Sequence, residues 1–322
     1  MTDSIAKPAV LLADIGGTNS RLALAGADGR PAHTLIIEND SVPNLEGAIA
    51  RYLAESGARP SAAVLAIAGP LEGEEVALTN RAWRFRPGEL ARRFGFAKLR
   101  LVNDFEAIAW ALTRLTADDA HPLGPPLPAR PGVRAVLGPG TGLGVAALVP
   151  LDGRWQVLAS EGGHASFGPQ TPDELEIFAA LLHEHGSVSA ETILSGPGLP
   201  RLLRAVDPRS QASTPEAVVA NALAGEAAAL LTVQLFVQLL GRFAGGLALT
   251  FKAVGGVYIA GCVASRRGKL FDAQAFRAAF DAHPPYQALL ASIPIWMMSR
   301  SEPGLLGCAA LADQLVASDA PA

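Results

Sequence analysis

Apolar residues fall in short blocks along the chain, and the breaks between blocks decide what each block is. Residues 10–13 are apolar, Asp14 interrupts them, and the run Gly16-Gly17-Thr18 leads straight into a second apolar block around Leu22 and Leu24. Two short apolar flanks around a glycine turn predict a β-hairpin over residues 9–24, with Gly16 and Gly17 supplying backbone angles that other residues resist. Residues 134–149 repeat this plan around the turn Gly138-Pro-Gly-Thr-Gly-Leu-Gly144. Two hairpins of one design predict a chain of two halves built alike. Between them, residues 45–53 and 105–115 read as helices, and residues 63–68 and 99–102 as strands. The proline-rich stretch 122–131 predicts no regular element and is the natural connection into the second half. Beyond it the pattern is mostly helical, over residues 172–183, 215–243 and 272–282. The most apolar stretch, 227–251, contains Gln234, Gln238 and Arg242, which are costly in the middle of a bilayer. Val233, Phe236, Val237, Leu240, Phe243 and Leu247 recur in it at helical spacing, so it reads as a buried amphipathic helix rather than a membrane span.

Composition narrows the class. The chain has 322 residues, enough for two domains, with half of them apolar and 17% charged. That is material for a sizeable core and carries no signature of disorder. A net charge of −4 and no basic run longer than a pair such as Arg266-Arg267 argue against a nucleic-acid partner. The only cysteines are Cys262 and Cys308, too few for a disulfide framework, and both read as small core residues in a reducing compartment. The N-terminal apolar block is too short for a secretory signal, and the expected location is the cytoplasm.

The glycine turns carry the first candidate chemistry. Glycines let backbone N–H groups converge on an anion without side chains in the way. No Gly-Lys-Ser or Gly-Lys-Thr occurs, which excludes the Walker phosphate loop. Both turns run into strands rather than helices, which excludes the dinucleotide fingerprint. Each turn adds a threonine hydroxyl, from Thr18 and Thr141. Asp14 brings a carboxylate beside the proposed phosphates, an oxygen ligand of the kind that suits Mg²⁺ held mostly through water.

Asp14-Ile-Gly-Gly-Thr-Asn19 and Gly138-Pro-Gly-Thr-Gly-Leu-Gly144 resemble the two phosphate segments of the actin-like sugar kinases, the hexokinase superfamily. The order and wording of the remaining motifs are similar to the bacterial glucokinase family, from Leu12 to Gly307. Leu101-Val-Asn-Asp-Phe105 places Asn103 and Asp104 where a strand passes into a helix. Taken alone, Asp104 is either the cap of that helix or a base for a hydroxyl proton; the resemblance implies that Asn103 and Asp104 bind the sugar and that Asp104 is the base. Glu161 and His164, two glycines apart in Ser160-Glu-Gly-Gly-His-Ala-Ser-Phe-Gly168, can turn toward one small ligand, and a sugar's hydroxyls both donate and accept. A zinc site there, as in the related ROK kinases, would need cysteines that are absent between Ser166 and Arg201. Glu191 alone reads as a solvated helix residue; the resemblance assigns it a hydroxyl contact. Thr79-Asn80 resembles the family's motif near the sugar. Gly255-Gly-Val-Tyr-Ile-Ala-Gly261 resembles its adenosine segment, with Cys262 where the family often carries glycine, and Glu302-Pro-Gly-Leu-Leu-Gly307 resembles its C-terminal motif.

The resemblance therefore implies an α/β chain with the two-domain actin-like ATPase (ribonuclease H-like) fold and an interdomain cleft. The smaller domain would comprise residues 1–114 with 305–322, the larger residues 115–304. The implied activity is ATP-dependent phosphorylation of glucose, with another hexose, such as fructose or mannose, or polyphosphate as donor, as alternatives. Ala13, Asp14, Ile15, Gly16, Gly17, Thr18, Gly140, Thr141, Gly142 and Gly261 are the expected nucleotide-binding residues, with ATP and Mg²⁺ as cofactors. Asn103, Asp104, Glu161, His164 and Glu191 are the expected sugar ligands. A homodimer is implied by the family. A sugar-sensing regulator is the reading from a different class; such proteins place a DNA-binding segment ahead of the kinase-like part, and here the first hairpin begins near residue 9.

Overall fold

The computed structural model describes residues 9–69, 71, 73–79, 81–128, 130–261 and 270–317. The chain divides into two compact units, Met1–Leu115 with Ser301–Ala322, and Thr116–Arg300.

In the first unit, β1 (Val10–Ile15), β2 (Asn19–Ala25), β3 (Pro31–Glu38), β4 (Ala62–Ile67) and a later strand, Lys98–Asn103, form one sheet. The order is β3-β2-β1-β4 and then that last strand. The first three are antiparallel, and β1, β4 and Lys98–Asn103 run parallel. Five of the six residues of β1, and all six of β4, are buried, the near-continuous apolar pattern of strands covered on both faces. Helix α1 (Leu45–Ser56) starts where the Asn44 side chain accepts the Gly47 N–H at 2.8 Å and ends at Gly57 in the left-handed region, a side-chain cap and a glycine stop. A two-stranded ribbon follows, β5 (Val76–Ala77) with β6 (Arg84–Phe85), then α2 (Pro87–Phe94), β7 (Lys98–Asn103) and α3 (Asp104–Ala111).

The second unit repeats the plan. β8 (Ala120–Pro122), β9 (Arg134–Pro139), β10 (Leu143–Leu151), β11 (Arg154–Ser160), β12 (Gly256–Ile259) and β13 (Ile295–Met298) form a sheet in the order β11-β10-β9-β12-β13-β8. Again three antiparallel strands are followed by parallel ones, with β8 added antiparallel at the edge. The doubled sheet is the ribonuclease H-like plan of the actin-like fold. Pro122, inside the stretch expected to hold no regular element, closes β8 opposite Trp296; an edge position tolerates a proline because no ladder N–H is needed there.

Six further helices belong to this unit among the described residues: α4 (Pro172–His185), α5 (Ala190–Ile193), α6 (Gly198–Val206), α7 (Pro215–Leu223), α8 (Ala227–Thr250), which packs against β9 and β12, and α9 (Ala273–Asp281), with the short α10 (Gln287–Ala291) before β13. The single helix expected over 215–243 is two, because Gly225 at φ +88° breaks it. Helix α8 is long and apolar enough to cross a membrane, yet most of it is buried inside the unit, including each apolar residue singled out for its spacing. Its Arg242 is buried as well, bonded to both carboxylate oxygens of Glu174 at 3.0 and 2.8 Å and to the Gly168 carbonyl at 2.9 Å.

The last helix, α11 (Pro303–Ala317), belongs to the first unit, which the chain rejoins at Ser301 rather than at 305. It packs along α3 and β1. A Cβ at Gly307 would overlap the Ala107 carbonyl oxygen, so the glycine sets how closely α11 crosses α3. Cys308 is fully buried on the same helix, its thiol 3.4 Å from the Ala13 carbonyl oxygen and held well above its ordinary range by burial. It is a core residue, as expected. Cys262 lies outside the described residues.

Candidate active site

In the first unit the candidate residues collect at the carboxyl ends of the parallel strands. Ile15 of β1 pairs with Ile67 of β4, and Ile67 with Asn103 of β7. The β1–β2 turn and the β7–α3 junction therefore lie two strands apart, about 10 Å at the usual strand spacing. Ligands of open α/β sheets bind at such ends. The Asn103 side chain caps α3 by accepting the Phe105 N–H at 2.9 Å. Asp104 is the first helical residue, and its Oδ1 accepts the same N–H at 2.9 Å. The capping role open to Asp104 in the sequence is thus taken by its neighbour. The positive end of the helix favours a carboxylate at that position.

Asp14 closes the other side of this edge. Its side chain is largely buried, with Arg21 Nη1 at 3.7 Å from Oδ2. Burial pushes its carboxyl up from the ordinary range; Arg21 offsets part of this and Glu302 adds to it. A Cβ at Gly304 would lie 2.8 Å from Oδ2, so the glycine of the C-terminal motif makes room for the carboxylate at the start of α11. Among the described residues no group of three or more His, Cys, Asp and Glu side chains could hold a metal ion. The donor set at Asp14, one carboxylate beside a turn rich in backbone N–H groups, fits a divalent cation that shares its remaining ligands with phosphate and water.

Two residues that sequence reasoning missed hold the β1–β2 turn. Asn39 is fully buried, and its amide nitrogen donates to the carbonyls of Gly16 and Gly17 at 2.8 and 3.1 Å. Arg81 Nη1 reaches the Gly17 carbonyl at 3.3 Å. Asn39 stands in Glu38-Asn39-Asp40, a polar run with no local signal of burial. Asn80, beside Arg81, lies outside the described residues.

The second unit brings the remaining candidates around the β9–β10 turn. Glu191, in the first turn of α5, accepts the Leu143 N–H through Oε2 at 2.7 Å. The same helix is capped by Ser189, whose Oγ accepts the Thr192 N–H while its own N–H donates to Thr192 Oγ1. His164 Nδ1 lies 3.9 Å from Glu191 Oε1, and His164 Nε2 lies 4.0 Å from Glu161 Oε2. Three side chains from two segments thus converge, with Glu161 and His164 largely exposed. The turn itself, Gly140-Thr141-Gly142, is tied to the loop before α6, where the Gly196 N–H donates to the Gly140 carbonyl at 2.7 Å. Gly261, at φ +94°, follows β12 so closely against this turn that a Cβ would lie 2.6 Å from the Pro139 carbonyl oxygen. Only glycine takes that backbone and that approach without strain.

A repeated ribonuclease H-like sheet, a glycine–threonine turn in each unit and an Asn-Asp pair at a strand–helix junction define a sugar kinase of actin-like fold. The model of the glucokinase family matches residues 11–315, and the chain belongs to that family. A glucokinase of Yersinia pestis (strain Pestoides F) is 42% identical over 308 residues, covering 93% of this chain and 95% of that protein. The crystal structure of a glucokinase from an Antarctic psychrotroph superposes with a TM-score of 0.87 at 31% identity, covering 95% of this chain and 99% of the other. That of the Balamuthia mandrillaris glucokinase in complex with glucose superposes with a TM-score of 0.79 at 26% identity, covering 97% and 95%.

Proposed function

We propose that the enzyme transfers the γ-phosphoryl group of ATP to the 6-hydroxyl of D-glucose, with Asp104 as general base. The observation that carries this reading is the placement of Asn103 and Asp104 on the same sheet edge as the β1–β2 turn. A carboxylate there can take the hydroxyl proton of a sugar beside a cradle for the phosphates. An alcohol is a poor nucleophile until that proton is taken, and the rest of phosphoryl transfer is positioning and charge balance. Glucose as the sugar is supported by the glucokinases to which the chain is similar, one of them in complex with glucose.

Each candidate residue has a part in this reading. Asn103 and Asp104 bind the reacting end of the sugar, and Ala13 to Thr18 line the phosphates. Asp14 would hold Mg²⁺, and the cation would supply positive charge to balance the phosphates. Glu161, His164 and Glu191 hold the sugar's other hydroxyls, while Gly140, Thr141, Gly142 and Gly261 admit the nucleotide to close backbone contact. An epimer or deoxy analogue leaves one of these polar groups unpaired, which is how such a site discriminates. The two units correspond to the small and large domains, and the enzyme works as a homodimer in the cytoplasm.

A coupled assay for ADP release with MgATP, comparing glucose, fructose, mannose and N-acetylglucosamine, tests the reading. Glucose-dependent turnover that disappears in Asp104→Asn supports it. A folded protein that binds glucose but turns over none of the four sugars refutes it.

A further inference from the structure

The side chain of Asn39 spends both its N–H donors on one turn. Ser20 Oγ, itself fully buried, donates to Asn39 Oδ1 at 2.7 Å. The Gly16 and Gly17 carbonyls, which can only accept, fix the amide's orientation with Nδ2 turned toward them. The Asn39 backbone N–H donates to the Thr18 carbonyl at 2.9 Å. Three successive carbonyls of the β1–β2 turn therefore point at one residue. In a planar trans peptide the N–H of each following residue points the opposite way. With the Gly16 and Gly17 carbonyls drawn onto Asn39, the N–H groups of Gly17 and Thr18 face the other side of the turn, together.

Arg81 strengthens one of these peptides. Its Nη1 shares the Gly17 carbonyl with Asn39, its Nη2 binds Asp40 at 2.6 Å, and its guanidinium stacks 4.7 Å from the Trp83 ring centre. Two donors on one carbonyl, one of them charged, polarise that peptide and make the Thr18 N–H a stronger donor. None of this is required to close a hairpin, which two glycines can do unaided.

We propose that Asn39 and Arg81 are positioning residues for phosphate: they hold the turn's carbonyls back so that the Gly17 and Thr18 amides face the phosphates of ATP. The proposal rests on the reading of this turn as the phosphate cradle. Neither residue touches substrate in it; both act through the turn.

The test compares Asn39→Ala, Arg81→Met, Arg81→Lys and Gly17→Val, each checked for folding by circular dichroism and melting. KM for ATP, KM for glucose and kcat are measured, with titration of a non-hydrolysable ATP analogue and Mg²⁺. Asn39→Ala and Arg81→Met should raise KM for ATP about tenfold, the scale of one lost hydrogen bond to a polar site, and leave KM for glucose within about twofold. Arg81→Lys, keeping the charge, should recover part of the loss. If Asn39→Ala does not fold, Arg81→Met carries the test, since Arg81 stands outside the core. Folded variants whose KM for ATP is unchanged, beside a Gly17→Val protein whose KM rises, overturn the positioning role alone. If Gly17→Val also leaves KM for ATP unchanged, the turn is not the phosphate site and both readings fall.

Discussion

Glu191 and Leu143 are joined across the second unit: the carboxylate of one accepts the backbone N–H of the other at 2.7 Å, at the end of the β9–β10 turn. A candidate sugar ligand is thereby also a brace for a candidate phosphate turn. Gly142 sits beneath this bond, since a Cβ there would lie 2.5 Å from Glu191 Oε2. Gly142→Ala must displace the carboxylate. We expect it to raise KM for glucose about tenfold or more, the scale of a lost hydrogen bond to a charged group. Glu191→Ala should do the same, and the double variant should be no worse than Glu191→Ala alone. Steady-state kinetics on the four proteins check this; additive effects would show that the two residues act independently.

Asp104→Asn separates chemistry from structure. Asparagine keeps an oxygen for the Phe105 N–H, which Asn103 also holds, so the melting temperature should stay close to the parent's. What is lost is the base. We expect kcat to fall by about 10² to 10⁴ while glucose still binds, measured by the coupled assay beside calorimetric titration with glucose. A fall in sugar affinity matching the fall in kcat would instead make Asp104 a binding residue only.

The parts of the site that were legible in the sequence are those whose signal is local. Glycines and threonines within one turn, or an Asn-Asp pair between an apolar strand and a helix, bring their partners within a few positions. The helical break at Gly225 was masked by apolar periodicity that resumes in phase with a buried helix on either side. Asn39 and Arg81 were illegible for another reason. They hold the β1–β2 turn from 22 or 23 and 64 positions away, and a buried asparagine inside a polar run looks like an exposed turn. Likewise Glu302-Pro303-Gly304 was recognisable as a motif, but that Gly304 clears space for Asp14 depends on the approach of α11 to β1.

Asp14 makes a prediction about pH. Burial raises its carboxyl in the folded state, and Arg21 compensates only in part. A group with a raised folded pKa binds its proton more tightly in the native state, so its contribution to stability is present below its unfolded value, about 4, and is lost as pH rises through the raised folded value. At neutral pH the buried charge is a cost to the ligand-free enzyme. Asp14→Asn should therefore melt higher than the parent at pH 8, and the difference should shrink toward pH 4. The same variant should lose Mg²⁺-dependent turnover. Melting curves across that range, without ligand, check the sign; a variant less stable than the parent at pH 8 would show that the carboxylate is held by favourable contacts.

Arg242 links the core of the second unit to the segment that carries the candidate residue His164. It neutralises Glu174 and holds the Gly168 carbonyl, four residues past His164, while its guanidinium lies 4.8 Å from the Phe167 ring centre. The Phe167 N–H in turn binds the Val188 carbonyl, next to the Ser189 cap of Glu191's helix. Arg242→Met leaves Glu174 buried without its partner, which should cost about 3–5 kcal/mol. Adding Glu174→Met removes the orphaned charge, and apolar replacement of a whole buried pair is often neutral or stabilising. The double variant should therefore recover most of the melting temperature. It cannot recover the bond to Gly168, so KM for glucose should stay raised in both the single and the double variant. Recovery of both quantities together would mean that the ion pair serves stability only; recovery of stability without KM would separate Arg242's charge pairing from its hold on the segment that carries His164.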